Sequence, residues 1–306
     1  MRKLSKILVA VGDPGRARHP AITHAAALAA GSGASVELFH DLALPMPLES
    51  AHAPDYSLRR EARAIRHKML ERLELLAAPL RAAGIKTTVS AAWDFPPYEA
   101  VIRRAQSTGA DLVVAHVRGH HRLPGILGQT DWELLRNCPV PVLLARRALP
   151  RTRQRVVAAI DPTHAGDKPA SLDAAVLRAA QLASGALGRP LHLLHALAPW
   201  NPSPAAVRTH VSRLARAAKL SASRVHYVKG PPALALPRGT RRLRTGLLVL
   251  GCVSRRGLRH FFLGDTAEQL LDDVRCDVLV VKPAGFRSGV PARRRGFYFV
   301  PPFPAA

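Results

Sequence analysis

The chain has 306 residues, 48% of them hydrophobic, and its 45 lysines and arginines against 21 aspartates and glutamates give a net charge of +24. This length suggests about two domains, and the hydrophobic content is ordinary for a globular protein. The excess of positive charge favours anionic partners such as nucleotides, nucleic acid or acidic lipid, although an arginine-rich composition alone would also produce it.

Cysteine usage and apolar runs narrow the class further. The three cysteines, Cys138, Cys252 and Cys276, lack the number and spacing of a disulfide framework and are predicted to be reduced thiols. No run approaches the roughly 20 apolar residues of a membrane helix, and the run at 7–11 is too short for a signal peptide. We therefore expect a soluble, cytoplasmic protein.

In chain order, the first half alternates short apolar runs with Ala/Leu-rich segments, a pattern typical of buried parallel strands between helices. The first helix is expected to end at Gly31 and Gly33, and the second to span 57–84. The predicted strands are ILVAV (7–11), SVELFH (35–40), TTVSAAW (87–93), DLVVAHV (111–117) and PVLLA (141–145).

The second half repeats the first. ILVAV reappears as VVAAI at 156–160, and DLVVAHV matches LLVLGCV at 247–253 in a register that continues without a gap through Gly128 and Gly264 to Val142 and Val278. The predicted strands of this half are RVVAAI (155–160), LHLLHA (191–196), RVHYV (224–228), LLVLGC (247–252) and DVLVVK (277–282).

This duplication predicts an α/β protein of two tandem Rossmann-like domains, each an open five-stranded parallel sheet with helices on both faces. We place the first domain at 1–148 and the second at 151–283, joined by an arginine-rich linker around Pro150. Residues 284–306 are basic and aromatic and are expected to form a flexible tail.

A candidate ligand loop follows the fourth strand of the second half. Ligands of open α/β sheets bind at the carboxyl ends of the strands, where this loop lies. Gly251 allows close backbone approach, Ser254 follows, and Gly264 precedes Thr266, which opens a capping box. The free N–H groups at such a helix start favour an anion.

These residues resemble the universal stress protein family, whose nucleotide-binding members carry a G-x2-G-x9-G-[ST] loop and an aspartate after the first strand. The segments 130–145 and 262–283 are similar to the tandem, E-type members. The resemblance implies that Asp161 contacts the adenosine part of a ligand. It also implies a stress-response role exerted through bound ligand and protein partners, with the two domains paired face to face within the chain.

Two positions of the second loop depart from that family pattern. Ser254 replaces the second glycine, and Asp265 stands where the family has serine or threonine. A carboxylate there would repel a triphosphate unless nearby arginines or a metal ion offset it. The expected ligand is therefore ATP, with or without Mg²⁺, another nucleotide, or a different anion.

The first-half loop departs further, and we predict a degenerate nucleotide site there. Gly12 occupies the level of Asp161, with Asp13 one residue on. Only one of the three glycines remains in the loop, whose corresponding positions are Ala115, Arg118, Gly128, Gln129 and Thr130.

Two other functions remain open at the level of sequence. A nucleic-acid- or lipid-binding module is suggested by Arg213, Arg216 and Lys219 on one helix face and by RRRGFYF at 293–299. A weak ATP hydrolase is the other, although no catalytic residue or metal-ligand set is recognisable. His40 and His195 end matched strands, where they line the two clefts or serve structural roles.

Overall fold

The computed structural model describes residues 3–42, 55–117, 129–146, 154–162, 171–199, 203–252, 270–271 and 273–292. All ten predicted strands are present: β1 (Lys6–Ala10), β2 (Ser35–Asp41), β3 (Thr87–Ala92), β4 (Leu112–His116), β5 (Val142–Ala145), β6 (Arg155–Ala159), β7 (Leu191–Leu197), β8 (Val225–Lys229), β9 (Thr245–Gly251) and β10 (Asp277–Val281). The helices are α1 (Pro20–Ser32), α2 (Asp55–Ala82), α3 (Pro97–Thr108), α4 (Gln129–Asn137), α5 (Ser171–Leu187), α6 (Pro204–Ala217) and α7 (Pro232–Arg242).

The strands form one sheet in the order β3-β2-β1-β4-β5-β10-β9-β6-β7-β8. Within each half the pairing is parallel, and the two halves meet where β5 runs antiparallel to β10, with Leu143 opposite Leu279. The halves therefore share a sheet edge to edge, which corrects the expected face-to-face pairing. This join covers two strand edges that would otherwise expose unpaired backbone groups.

Side chains alternate between two apolar layers, one on each face of the sheet. Ile7 and Val9 of β1 belong to the layer under α1, α2, α5 and α6, together with Leu73 and Val211. Leu8, between them, belongs to the opposite layer under α3, α4 and α7. Each layer contains residues of both halves, so the core is continuous across the β5–β10 join.

Helix α1 ends at Gly33, whose φ of 72° is left-handed, as the sequence predicts. Gly31, by contrast, lies inside the helix, which corrects its expected role as a cap. A Cβ on Gly31 would overlap the carbonyl oxygen of Ala186 in α5. Gly31 thus lets the matching helices of the two halves approach closely.

The start of the segment expected to be a flexible tail packs on the second half. Val290 is buried in the apolar layer under α3, α4 and α7, and the Phe286 ring lies 4.9 Å from the Lys282 Nζ. Residues 293–306 are outside the described part. None of the helices in the described part is long and apolar enough to span a membrane.

Candidate functional site

The candidate site of the second half lies at the carboxyl ends of the adjacent strands β6 and β9. Ala158 pairs with Val249, so the residues after these two positions leave the sheet side by side. Asp161 follows β6, and Gly251 is the last residue of β9. Ser254, Gly264, Asp265 and Thr266, the other predicted ligand residues of this half, lie outside the described residues.

Asp161 is held in place by a buried carboxylate on helix α5. The Asp161 N–H donates a hydrogen bond of 3.1 Å to Oδ1 of Asp173, whose side chain is 2% exposed. Asp173 lies in the first turn of α5, where the free N–H groups of the helix favour a negative charge. The start of α5 therefore fixes the backbone of Asp161, the residue predicted to contact adenosine.

An extension of α5 explains how Asp173 comes to reach this cleft. Helix α5 has 17 residues and its first-half counterpart α1 has 13. Both helices are followed by a left-handed glycine, Gly33 at φ 72° and Gly188 at φ 60°. Since the two helices end alike, the additional turn is at the amino end of α5, next to β6 and β9.

The same additional turn packs against Gly251. Leu172 is fully buried, and a Cβ on Gly251 would lie 2.7 Å from its side chain. Gly251 therefore has a role in helix packing. The sequence pattern alone indicates neither this role nor the parts of Leu172 and Asp173. The available signal was the longer connection in the second half between the first strand and the helix-ending glycine.

A buried positive charge lies beside the start of the predicted loop. Lys282, which follows β10, is 7% exposed and places its Nζ 3.5 Å from the Cys252 Sγ. Cys252 is the residue next to Gly251. An ammonium group at this edge of the sheet would favour an anionic ligand in the adjoining loop.

The three cysteines are free thiols, as the sequence predicts. Burial raises the pKa of Cys138 and that of Cys276 to about 12. Both groups are therefore protonated at neutral pH and are poor nucleophiles.

In the first half, the described residues at the corresponding position enclose only a small cleft. Gly12, Asp13, Arg16, His19 and His116 contribute to the walls of a cavity of about 40 Å³. This volume accommodates water, whereas pockets for small organic ligands typically measure several hundred Å³.

Asp13 is engaged in its own loop. Its Oδ1 accepts a 2.9 Å hydrogen bond from the Gly15 N–H, and its Oδ2 lies 3.6 Å from the Arg16 Nε. The side chain is half exposed and lines the cavity. Asp13 therefore has a local role in a turn, unlike Asp161, whose backbone is tied to the core helix α5.

The remaining predicted residues of the first-half site are spread over two elements. Ala115 is buried in β4 with its side chain in the layer under α3, α4 and α7, whereas a Cβ on Gly251 would meet Leu172 in the opposite layer. Gln129 and Thr130 are the first residues of α4. Arg118 and Gly128 lie outside the described residues.

The matched histidines His40 and His195 have the same structural role in the two halves. Nδ1 of His40 is 2.7 Å from the Val11 carbonyl oxygen, and Nδ1 of His195 is 2.9 Å from that of Ile160. Each imidazole thus ties its strand to the residue after the neighbouring strand. Within the described residues, no group of three or more His, Cys, Asp or Glu side chains could hold a metal ion.

Comparisons with known proteins agree with the duplicated architecture. The model of the universal stress protein family matches residues 3–146 and again 152–282. The chain is 26% identical to universal stress protein E of Photorhabdus laumondii, over 94% of this chain and 98% of that protein. It is 31% identical to universal stress protein E of Escherichia coli K12, over 68% of this chain and 72% of that protein.

A solved structure shares the whole fold. The crystal structure of a Pseudomonas aeruginosa protein described as a universal stress protein superposes with a TM-score of 0.72 at 26% identity. The match covers 92% of this chain and 94% of that one. Both tandem domains and their arrangement are therefore common to the two proteins.

Proposed function

Because the chain belongs to the universal stress protein family as a tandem, E-type member, we propose that it acts in the stress response by binding an anionic ligand. The ligand is a nucleotide or a similar phosphate-bearing molecule. It binds at the carboxyl ends of β6 and β9 in the second domain. The protein works through its bound state and its partners and not through turnover.

The asymmetry between the two clefts carries this proposal. In the second domain the Asp161 backbone is fixed by buried Asp173, and Lys282 adds a buried positive charge at the base of the loop. In the first domain Asp13 is half exposed and closes a turn with Gly15. A ligand contact on a backbone that is already fixed costs less entropy on binding, which favours the second domain.

The chemistry of this cleft suits a ligand with a neutral end and an anionic end. The carboxylate of Asp161 accepts hydrogen bonds from hydroxyl or amino groups, such as those of a nucleoside. The sequence places Arg255, Arg256 and Arg259 in the loop beyond Cys252, where they would complement phosphate. If the ligand is a triphosphate, Mg²⁺ would offset the negative charge of Asp265.

Calorimetric titration with ATP and AMP, each with and without Mg²⁺, tests this proposal. We expect wild-type protein to bind at least one of them, Asp161→Ala to bind at least tenfold more weakly, and Asp13→Ala to bind as wild type does. Asp13 is the matched control because it follows the equivalent strand of the first domain. Equal binding by all three proteins would contradict the proposed location.

A further inference from the structure

The two domains differ sharply at one equivalent position near the amino ends of their second strands. Glu37 of β2 pairs with Leu8 of β1, and His192 of β7 pairs with Val157 of β6. Since 7–11 and 156–160 are the repeated first strands, Leu8 corresponds to Val157, and Glu37 therefore corresponds to His192. The duplicated fold holds a carboxylate at this point in one domain and an imidazole in the other.

In the first domain this position is an internal anion surrounded by donors. Glu37 is 1% exposed, with Lys6 Nζ at 3.1 Å, Arg104 Nη2 at 2.6 Å and Ser90 Oγ at 2.8 Å from its carboxylate. Burial acts to raise the pKa of Glu37, but hydrogen bonds from Ser90 and Arg104 hold it below the usual value. The carboxylate therefore stays ionised and neutralises the cations around it.

In the second domain the anion is gone and a cation remains at the Lys6 position, while the counterpart of Arg104, counted from the proline pair at the start of each helix, is Gly239. Arg155 takes the place of Lys6, and His226 takes the place of Ser90, because Phe39 pairs with Ser90 as Leu194 pairs with His226. Nδ1 of His192 is 2.8 Å from Nε2 of His226, with the rings stacked 5.1 Å apart at 19°.

The charges that act on this pair of imidazoles are positive. Burial and the charges of His226, Arg155 and Arg224 lower the pKa of His192 to about 4. Burial, Arg155 and Arg242 lower that of His226. At neutral pH both rings are therefore uncharged beside three arginines. The arginines come from β6, from the turn before β8 and from the end of α7.

The loss of counter-anions extends beyond this pair. In the first domain Arg103 Nη2 is 2.8 Å from Asp94 and Nη1 is 2.7 Å from Glu99. Counted from the proline pair that precedes each helix, the second-domain counterparts of Arg103, Asp94 and Glu99 are Arg238, Lys229 and Leu234. Moreover, no Asp or Glu occurs anywhere between Asp173 and Asp265. The second domain therefore lacks the internal carboxylates of the first at this edge, and Arg238, unlike buried Arg103, is exposed to solvent.

We propose that His192, His226, Arg155, Arg224 and Arg242 form a binding site for a phosphate group taken from solution. The phosphate supplies the negative charge that Glu37 supplies in the first domain. Guanidinium groups match phosphate oxygens with paired donors. Since one hydrogen bond joins the two neutral rings, one ring N–H of the pair remains to donate to the anion, whichever tautomer is present.

This phosphate site is separate from the ligand cleft proposed above. It lies toward the amino ends of β6, β7 and β8, whereas Asp161 and Gly251 lie at the carboxyl ends of β6 and β9. The two proposals therefore fail independently, and Asp161→Ala is expected to leave phosphate binding here unchanged.

The test is a titration of the full-length protein with inorganic phosphate at constant ionic strength, followed by NMR through the ring signals of His226. We expect a saturable shift in the wild type. His192→Glu restores the carboxylate of the first domain and should weaken phosphate binding at least tenfold. Arg213→Ala removes one unit of charge from the exposed face of α6 and should leave binding unchanged.

Two results would overturn this site. One is the absence of a saturable shift in wild-type protein. The other is that His192→Glu and Arg213→Ala weaken phosphate binding equally, which would show that only the overall charge of the protein matters. Arg242→Ala, which removes an exposed side chain, gives a second variant in which we expect severalfold weaker binding.

The source of the phosphate group is decided by competition. If the group belongs to a polynucleotide backbone, a 20-nucleotide single strand should displace bound phosphate. The oligonucleotide concentration required should be far below the phosphate concentration that half-saturates the site. That displacement should be steeply salt-dependent and lost in His192→Glu. If the group is free phosphate or a small phosphate monoester, the oligonucleotide will compete no better than phosphate itself.

Discussion

His24 of the first domain and Asp277 of the second lie 3.1 Å apart, from Nε2 to Oδ2, with side chains only 4% and 6% exposed. Oδ1 of the same carboxylate accepts a 2.7 Å hydrogen bond from the Arg146 N–H, just beyond β5. Asp277, the first residue of β10, therefore connects this strand to helix α1 and to the end of strand β5. The domain join thus includes a buried polar contact beside the paired strands.

His24→Ala is expected to lower the free energy of unfolding by about 3 kcal/mol, because it leaves a buried carboxylate without its imidazole partner. Urea denaturation would measure the loss. The control is His67→Ala, which removes an exposed pair, His67 Nε2 to Glu71 Oε1 at 3.3 Å, and should cost less than about 1 kcal/mol. Equal losses in the two variants would show that burial of the His24 pair adds nothing.

Gly31→Ala should destabilise the protein by roughly 1–3 kcal/mol, since its Cβ would overlap the Ala186 carbonyl and push α1 away from α5. Gly185→Ala is the matched control: it lies in α5, and a Cβ there would meet nothing within 4 Å. That substitution should instead stabilise the helix by about 0.5–1 kcal/mol. Thermal unfolding of the two variants should therefore shift in opposite directions.

Gly251→Ala should cost roughly 1–3 kcal/mol because the new Cβ would lie 2.7 Å from Leu172. If that contact is the cause, combining Gly251→Ala with Leu172→Ala should cost less than the sum of the single changes, by about 0.5–3 kcal/mol. A double-mutant cycle by urea denaturation gives this coupling. If the free-energy costs of the two substitutions are strictly additive, contact with Leu172 is not the reason for a glycine at position 251.

Stability should fall as the pH is lowered from about 6.5 to about 4, because the pKa of His192 is lowered to about 4 in the folded protein. An unfolded chain, with an ordinary histidine pKa, takes up the proton first across this window, and so unfolding is favoured. With allowance for solvent screening, the contribution is on the order of 1 kcal/mol. His192→Gln should flatten the pH dependence of the urea midpoint by this amount, whereas His210→Gln, at an exposed histidine of α6, should not.

The strands were predictable from sequence because buried parallel strands read as short runs of valine, isoleucine and leucine. The end of α1 at Gly33 was equally clear, since a left-handed cap favours glycine. Gly31 was misjudged because its cause is tertiary. Gly31 allows helix α5 to pack closely against α1 at Ala186, 155 residues further along the chain, and no local sequence pattern indicates that contact.

The candidate site was predictable only in part. Asp161 and Gly251 follow from the repeat and from the rule that ligands bind at strand carboxyl ends. The hydrogen bond from Asp161 to Asp173 was missed because it depends on where α5 begins. The contrast between Glu37 and His192 was missed because β-strand register, rather than spacing along the chain, sets which side chains meet.

Mass spectrometry of small molecules released by denaturing purified protein shows most directly whether the second-domain cleft holds an anionic ligand. Wild type should be compared with Gly264→Val, which changes the third glycine position of the loop, and with Gly185→Ala in the last turn of α5, where a Cβ would meet nothing within 4 Å, as the control glycine. We expect a nucleotide or other phosphate-bearing molecule in the wild type and the control, and its loss in Gly264→Val. A wild-type protein that is empty and gains no thermal stability from added nucleotide would contradict it.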